Sequence, residues 1–113
     1  VPKHYLKKWH IKYNPDANKL AKDEGLDAWY KAFQFHSDVG AAGQDPNTPV
    51  LGPWVLERRT IERRVYVRNP YFCAIDPAGN QLPYIDRLVV DIVGNTEVAT
   101  MKLINGELTH GIF

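Results

Sequence analysis

Long apolar runs are missing from these 113 residues. No stretch approaches the roughly 20 consecutive apolar residues that cross a bilayer. A leader pattern is missing too: the chain opens Val1-Pro2-Lys3-His4, without an initiator methionine, as expected of a piece of a longer polypeptide. There is no excess of one charge. Lys and Arg number 14 against 13 Asp and Glu, a net charge of +1, which gives no electrostatic argument for nucleic acid or an anionic membrane surface. Cysteine is nearly absent. Cys73 stands alone, so no internal disulfide can form, and its apolar neighbours Phe72 and Ala74 predict a buried, inert thiol.

Catalytic patterns are missing as well. The chain holds no Gly-x-Ser-x-Gly, no glycine loop to cradle phosphate and no metalloprotease helix, and its carboxylates are scattered. An enzyme is therefore not expected, nor is a cofactor. Two histidines bind a metal from one helix only when they share a face. His4 and His10 are six positions apart, about 240° around a helix, and His36 and His110 stand alone. No metal site is expected.

What is present suits one folded domain: 44% hydrophobic and 24% charged residues. Residues 1–36 have helical spacing. Asn14-Pro15-Asp16 reads as a helix start with Asn14 as the cap, Ala17, Leu20 and Ala21 as the apolar face, and Gly25 as the stop. Leu26, Trp29, Tyr30 and Phe33 fall at i, i+3, i+4 and i+7, an aromatic stripe that predicts a core-facing helix. Glycine and proline are dense over 37–53, which predicts a long loop.

From Trp54 the pattern turns to strands. Residues 54–59 and 62–68 read as a hairpin with a short turn near Thr60-Ile61. Pro77-Ala78-Gly79-Asn80 is a turn cluster. Residues 88–93 are apolar on one face and mostly so on the other, the texture of a strand inside a sheet covered on both sides. Thr96 is placed to cap a last helix with Val98, Met101 and Ile104 facing inward, and Asn105-Gly106 ends it. A strand from Leu108 would complete a β-α-β unit with two parallel neighbours. The doublets Arg58-Arg59 and Arg63-Arg64 could line one hairpin. A basic ribbon can enter a major groove, but Glu57 and Glu62 precede the doublets. A solvated hairpin with cross-strand charge pairs is the expectation, and nucleic-acid binding is not.

The most informative stretch is Arg68-Asn69-Pro70-Tyr71-Phe72, followed by Ile75-Asp76-Pro77-Ala78-Gly79-Asn80-Gln81-Leu82-Pro83-Tyr84-Ile85-Asp86. It resembles the signature of extracytoplasmic solute-binding proteins of ABC importers, in the peptide/nickel/oligosaccharide class. Pro2-Lys3-His4-Tyr5-Leu6, Leu51-Gly52-Pro53-Trp54 and Asn105-Gly106-Glu107-Leu108-Thr109 resemble further family segments in the same order. The chain departs from the family pattern at Phe72-Cys73, where Tyr-Trp is usual, and at Thr109, where aspartate is usual. It also lacks the Gly-Thr-Gly-Pro-Tyr form around 50–54.

The resemblance implies an α/β fold, here a fragment of the two-lobed periplasmic-binding-protein fold: a helical N-terminal part, then a β-hairpin and a β-α-β unit. Residues 1–53 would be the helical end of the insert domain with its connecting loop, and 54–113 part of the first α/β lobe. It implies capture of an oligopeptide or oligosaccharide outside the cytoplasmic membrane and delivery to ABC permease subunits. Contact with the membrane would come only through a lipid anchor or that permease. Phe72 and Glu107 are the positions it turns toward the ligand cleft. A different expectation, drawn from the arginine doublets alone, is a stand-alone interaction module that uses the Arg58–Arg64 hairpin.

Overall fold

The computed structural model describes residues 2–38 and 43–110. Short helices come first: α1 (Lys3–Leu6), which runs into a 3-10 turn over Lys7–Trp9, then α2 (Ala17–Asp23) and α3 (Trp29–Ser37). The strands β1 (Trp54–Arg59), β2 (Arg63–Arg68) and β3 (Arg87–Asp91) follow, and α4 (Thr96–Ile104) comes last.

The helical part packs through small residues. Ala17, Ala21 and Ala32 are fully inaccessible, so α2 and α3 approach closely, and Leu6 and Trp9 fill the space beside them. Burial of side chains as large as these two contributes roughly 1.5–3 kcal/mol each. The start of α2 differs from expectation. Asn14 Oδ1 accepts the Asp16 N–H at 3.1 Å, which folds 14–16 into a turn, and helix geometry begins only at Ala17. Gly25 ends α2 at φ 79°, as its position predicts.

The aromatic stripe is borne out in part: Leu26 and Phe33 are half-buried and pack against the core of Leu6, Trp9, Ala21 and Ala32. In α3 the buried positions are Ala32 and His36, one turn apart, while Tyr30 is 55% exposed and Leu26 precedes the helix. The helix turns its small residue to the core because Ala21 needs a close neighbour there. Tyr30 is left at the rim, and His10 packs against Trp29 and Phe33 at centroid distances of 4.8 and 5.3 Å. Helix α3 has no cap of its own. Asn18 of α2 accepts the Trp29 N–H instead.

The three strands form one antiparallel sheet in the order β1-β2-β3. A bulge between Leu56 and Arg58 shifts the β1–β2 register and sets Arg59 opposite Arg64. Among the described residues no charge pair joins β1 to β2, and the expected cross-strand charge pairs run to β3. Glu57 accepts from Arg87 of β3, and Arg63 pairs with Asp91. β3 was expected inside a sheet covered on both sides, but it is an edge strand, with Leu88, Val89 and Val90 38–50% exposed.

Helix α4 is capped by Asn95, whose side chain accepts the Val98 N–H, and not by Thr96. An extended Asn95 puts its oxygen over the free N–H groups, whereas Thr96 already has helical geometry. Gly106, at φ 73°, closes the helix. Ala99 is the buried residue of α4; Val98, Met101 and Ile104, expected to face inward, are 45%, 61% and 75% exposed. Four α-helices and this sheet are consistent with a fragment of the expected two-lobed α/β fold. The last expected strand does not form over 108–110, and its remainder, 111–113, lies outside the described residues.

Candidate ligand-contact site and the polar cluster beside it

Phe72 sits in an excursion, residues 69–86, that leaves β2 and returns to β3. Asn69 is 6% exposed and ties its start. Its amide donates to the Gly52 carbonyl at 2.9 Å, and its oxygen accepts the Tyr71 N–H at 3.0 Å. The Phe72 N–H donates to the Asn69 carbonyl. Gln81 then reaches back and donates to the Pro70 and Phe72 carbonyls, both at 2.8 Å. Phe72 is thus held at both backbone groups and is half-buried. Its neighbours alternate as extended chain does: Ala74 is half-buried, and Cys73 between them is exposed, contrary to the buried thiol expected.

The far end of the excursion is fixed by Asp76. Its carboxylate accepts the Ala78 and Asn80 N–H groups at 2.9 and 2.8 Å, the Asn80 amide at 3.0 Å, and the Tyr84 hydroxyl. The Tyr84 and Asn80 donors hold its pKa down at about 2. Gly79 takes φ 87° in this turn. Ile75 bridges to Gln81, and the Arg68 N–H donates to the Asp86 carbonyl, so the loop closes on itself. Glu107 is on a different element. It follows the α4 stop, its N–H donates to the Lys102 carbonyl, and its side chain is exposed.

A second cluster was not foreseen, because His36 read as solitary. His36 is 7% exposed and stacks on Trp9 at 3.7 Å. Its Nε2 meets Glu24 at 2.9 Å and its Nδ1 meets the Tyr5 hydroxyl at 3.0 Å, with Asp45 at 3.8 Å. Tyr5 donates to Asp45 at 2.6 Å, and Trp9 Nε1 donates to the other Glu24 oxygen. Burial and the Asp45 carboxylate push the Tyr5 hydroxyl up to about 12, so it keeps its proton and remains a donor. Burial alone would raise Asp45, but donors from Tyr5 and Asn47 and the nearby His36 hold it below its usual range. The cluster joins α1, the 3-10 turn, the end of α2, α3 and the loop at 45–48. It opens on a groove of about 500 Å3. Its polar groups satisfy one another, so its chemistry is that of a fastening. Tyr5 in the Pro2–Leu6 segment was the one signal in the sequence that pointed to it.

The four hairpin arginines do not act together. Arg63 is committed to Asp91 at 2.6 Å, Arg64 is half-buried, and Arg58 and Arg59 are exposed. Among the described residues no group of three or more His, Cys, Asp or Glu is placed to hold a metal ion, and no helix is long and apolar enough to cross a membrane.

No family model matches the chain. Individual proteins do. It is 36% identical over 88 residues to a periplasmic alpha-galactoside-binding protein of Rhizobium meliloti, a match that covers 77% of this chain and 10% of that protein. It is 32% identical over 82 residues to a probable ABC transporter-binding protein of Deinococcus radiodurans, covering 69% and 14%. Among solved structures, an oligopeptide-binding protein OppA superposes with a TM-score of 0.81 at 37% identity, over 96% of this chain and 17% of that one. The chain thus spans between a tenth and a fifth of the length of the proteins it matches. These relatives are named as binding proteins and not as enzymes. The chain is a segment of an extracytoplasmic solute-binding protein of the ABC-importer class and belongs to that family.

Proposed function

We propose that the protein to which this segment belongs captures an oligopeptide or an oligosaccharide outside the cytoplasmic membrane and delivers it to ABC permease subunits. The observation that carries the reading is the OppA likeness, which runs through nearly the whole chain at a TM-score of 0.81. The relatives' names divide between the two ligand classes: one is an oligopeptide-binding protein and another binds an alpha-galactoside. Binding without chemistry suits a segment whose polar cluster is internally satisfied.

Within that protein, residues 1–53 form the helical end of an insert domain and 54–113 part of the first lobe. The packing supports this division, because the four-residue core of Leu6, Trp9, Ala21 and Ala32 belongs wholly to the helical part. Phe72, half-buried and fixed at both backbone groups, and Glu107, an exposed carboxylate, are the ligand contacts. A cleft closes when ligand contacts favour the closed state, and one lobe alone cannot supply them. Titration calorimetry with peptide and oligosaccharide panels is the test. The full-length protein should bind a member of one panel, and Phe72→Ala should weaken that binding by roughly 1–3 kcal/mol. The 113 residues alone should bind neither. Tight binding by the segment alone, or no binding of either class by the full-length protein, sinks the reading.

A further inference from the structure

The balanced net charge hides a local imbalance. Residues 2–13 contain Lys3, Lys7, Lys8 and Lys12 and no acid; Asp16 is the first. The fold gathers three of these around one ring. The Lys3, Lys7 and Lys12 ammoniums lie 5.6, 5.8 and 5.9 Å from the centre of Tyr13. Two lysines elsewhere meet carboxylates, Lys31 with Asp27 at 2.7 Å and Lys102 with Asp91 at 3.0 Å. Among the described residues no ion pair neutralises Lys3, Lys7 or Lys12. Lys3 and Lys7 are also one helical turn apart, a like-charge spacing that disfavours the helix they start. The face of Tyr13 offsets only part of that repulsion.

Lys3 and Lys7 flank an open groove of about 450 Å3. Leu6, Tyr13 and Phe33 give it an apolar floor, His10 adds a ring, and among the described residues no carboxylate lines it. Its volume is in the range of small-molecule sites. Two unneutralised cations above an apolar floor complement one kind of molecule.

We propose that this groove binds a small carboxylate that carries an aliphatic or aromatic arm, with the carboxylate between the Lys3 and Lys7 ammoniums and the arm across Leu6, Tyr13 and Phe33. The groove is built from the helical part alone, apart from Phe72 and Glu107, so it does not depend on the cleft proposed above.

The test is a nuclear magnetic resonance titration of the 113-residue chain with 4-phenylbutyrate and with its uncharged counterpart 4-phenylbutan-1-ol. The acid should shift the Tyr13, Phe33 and His10 ring signals and bind about fivefold or more tightly than the alcohol. Lys3→Gln with Lys7→Gln should remove that preference, while Lys3→Arg with Lys7→Arg should keep it and show that the charge, not the fold, was lost. Equal binding of acid and alcohol overturns the proposal. So does an unchanged preference in the glutamine variant. Sedimentation with phosphatidylglycerol vesicles, in the absence of any shift by the acid, would assign the lysines to a lipid surface and overturn it as well.

Discussion

At the scale of single residues, Asp91 has the widest reach. It ends β3, accepts from Arg63 of β2 at 2.6 Å and from Lys102 of α4 at 3.0 Å, and its side chain is only 10% exposed. Arg63 and Lys102 lower its pKa to about 2. A carboxylate depressed in the folded state adds stability that is complete above its unfolded value, near 4, and fades as the pH falls toward 2. Asp91→Asn should cost roughly 1–2 kcal/mol at neutral pH, the low figure reflecting the half-exposed arginine. Urea melts at pH 7, 4 and 2.5 should show the gap between the two proteins closing with acid. A gap that stays constant means the loss is not electrostatic. His36 shows what a sequence withholds at this scale. Its partners Tyr5, Glu24 and Asp45 lie 31, 12 and 9 positions away, and no periodicity signals contacts between a helix, a helix end and a loop. Cys73 shows the reverse error, where apolar neighbours suggested burial but alternation in extended chain turned the thiol outward.

At the scale of elements, local chemistry was the most legible. The hairpin, the turn around Gly79 and the glycine stops at Gly25 and Gly106 all lie where residue types require them, because each depends on a few adjacent positions. Which face an element buries depends on its neighbours, and there the pattern failed for α4 and held only in part for α3. The excursion 69–86 was legible as a motif but not as a mechanism, since nothing in Arg68-Asn69-Pro70 says that Asn69 would reach back to Gly52. Asn69→Ala removes a donor to that carbonyl and an acceptor for the Tyr71 N–H in a buried setting. The expected cost is roughly 1–3 kcal/mol. Hydrogen exchange should quicken at Tyr71 and Phe72, while the amides that pair β1 with β2 keep their protection. Unchanged exchange at Tyr71 would show that the side chain is not what holds the loop.

At the scale of the whole molecule, the chain is a plate, 52 by 41 by 18 Å. Its radius of gyration is 17.7 Å, against about 13 Å for a compact domain of this length. A plate this thin has little interior, which is why β3 and α4 carry Leu88, Val89, Val90, Met101 and Ile104 in the open. The two sheet edges differ. The outer half of β1 carries Glu57, Arg58 and Arg59, charges that discourage further pairing, whereas the middle of β3 is Leu88-Val89-Val90 with no charge among them. An apolar, unprotected edge pairs with any strand that reaches it. In the full-length solute-binding protein a further strand or packed helix would meet that edge. In the 113-residue chain the available partner is a second copy, so light scattering should show mass rising with concentration. Val89→Lys places a charge at the centre of the edge and should hold the chain monomeric, with the β1–β2 hairpin intact by circular dichroism. Arg58→Val, on the opposite edge, should add to association. If Val89→Lys associates as strongly as the parent sequence, the contact lies elsewhere, and the exposed face of α4 is the surface to substitute next.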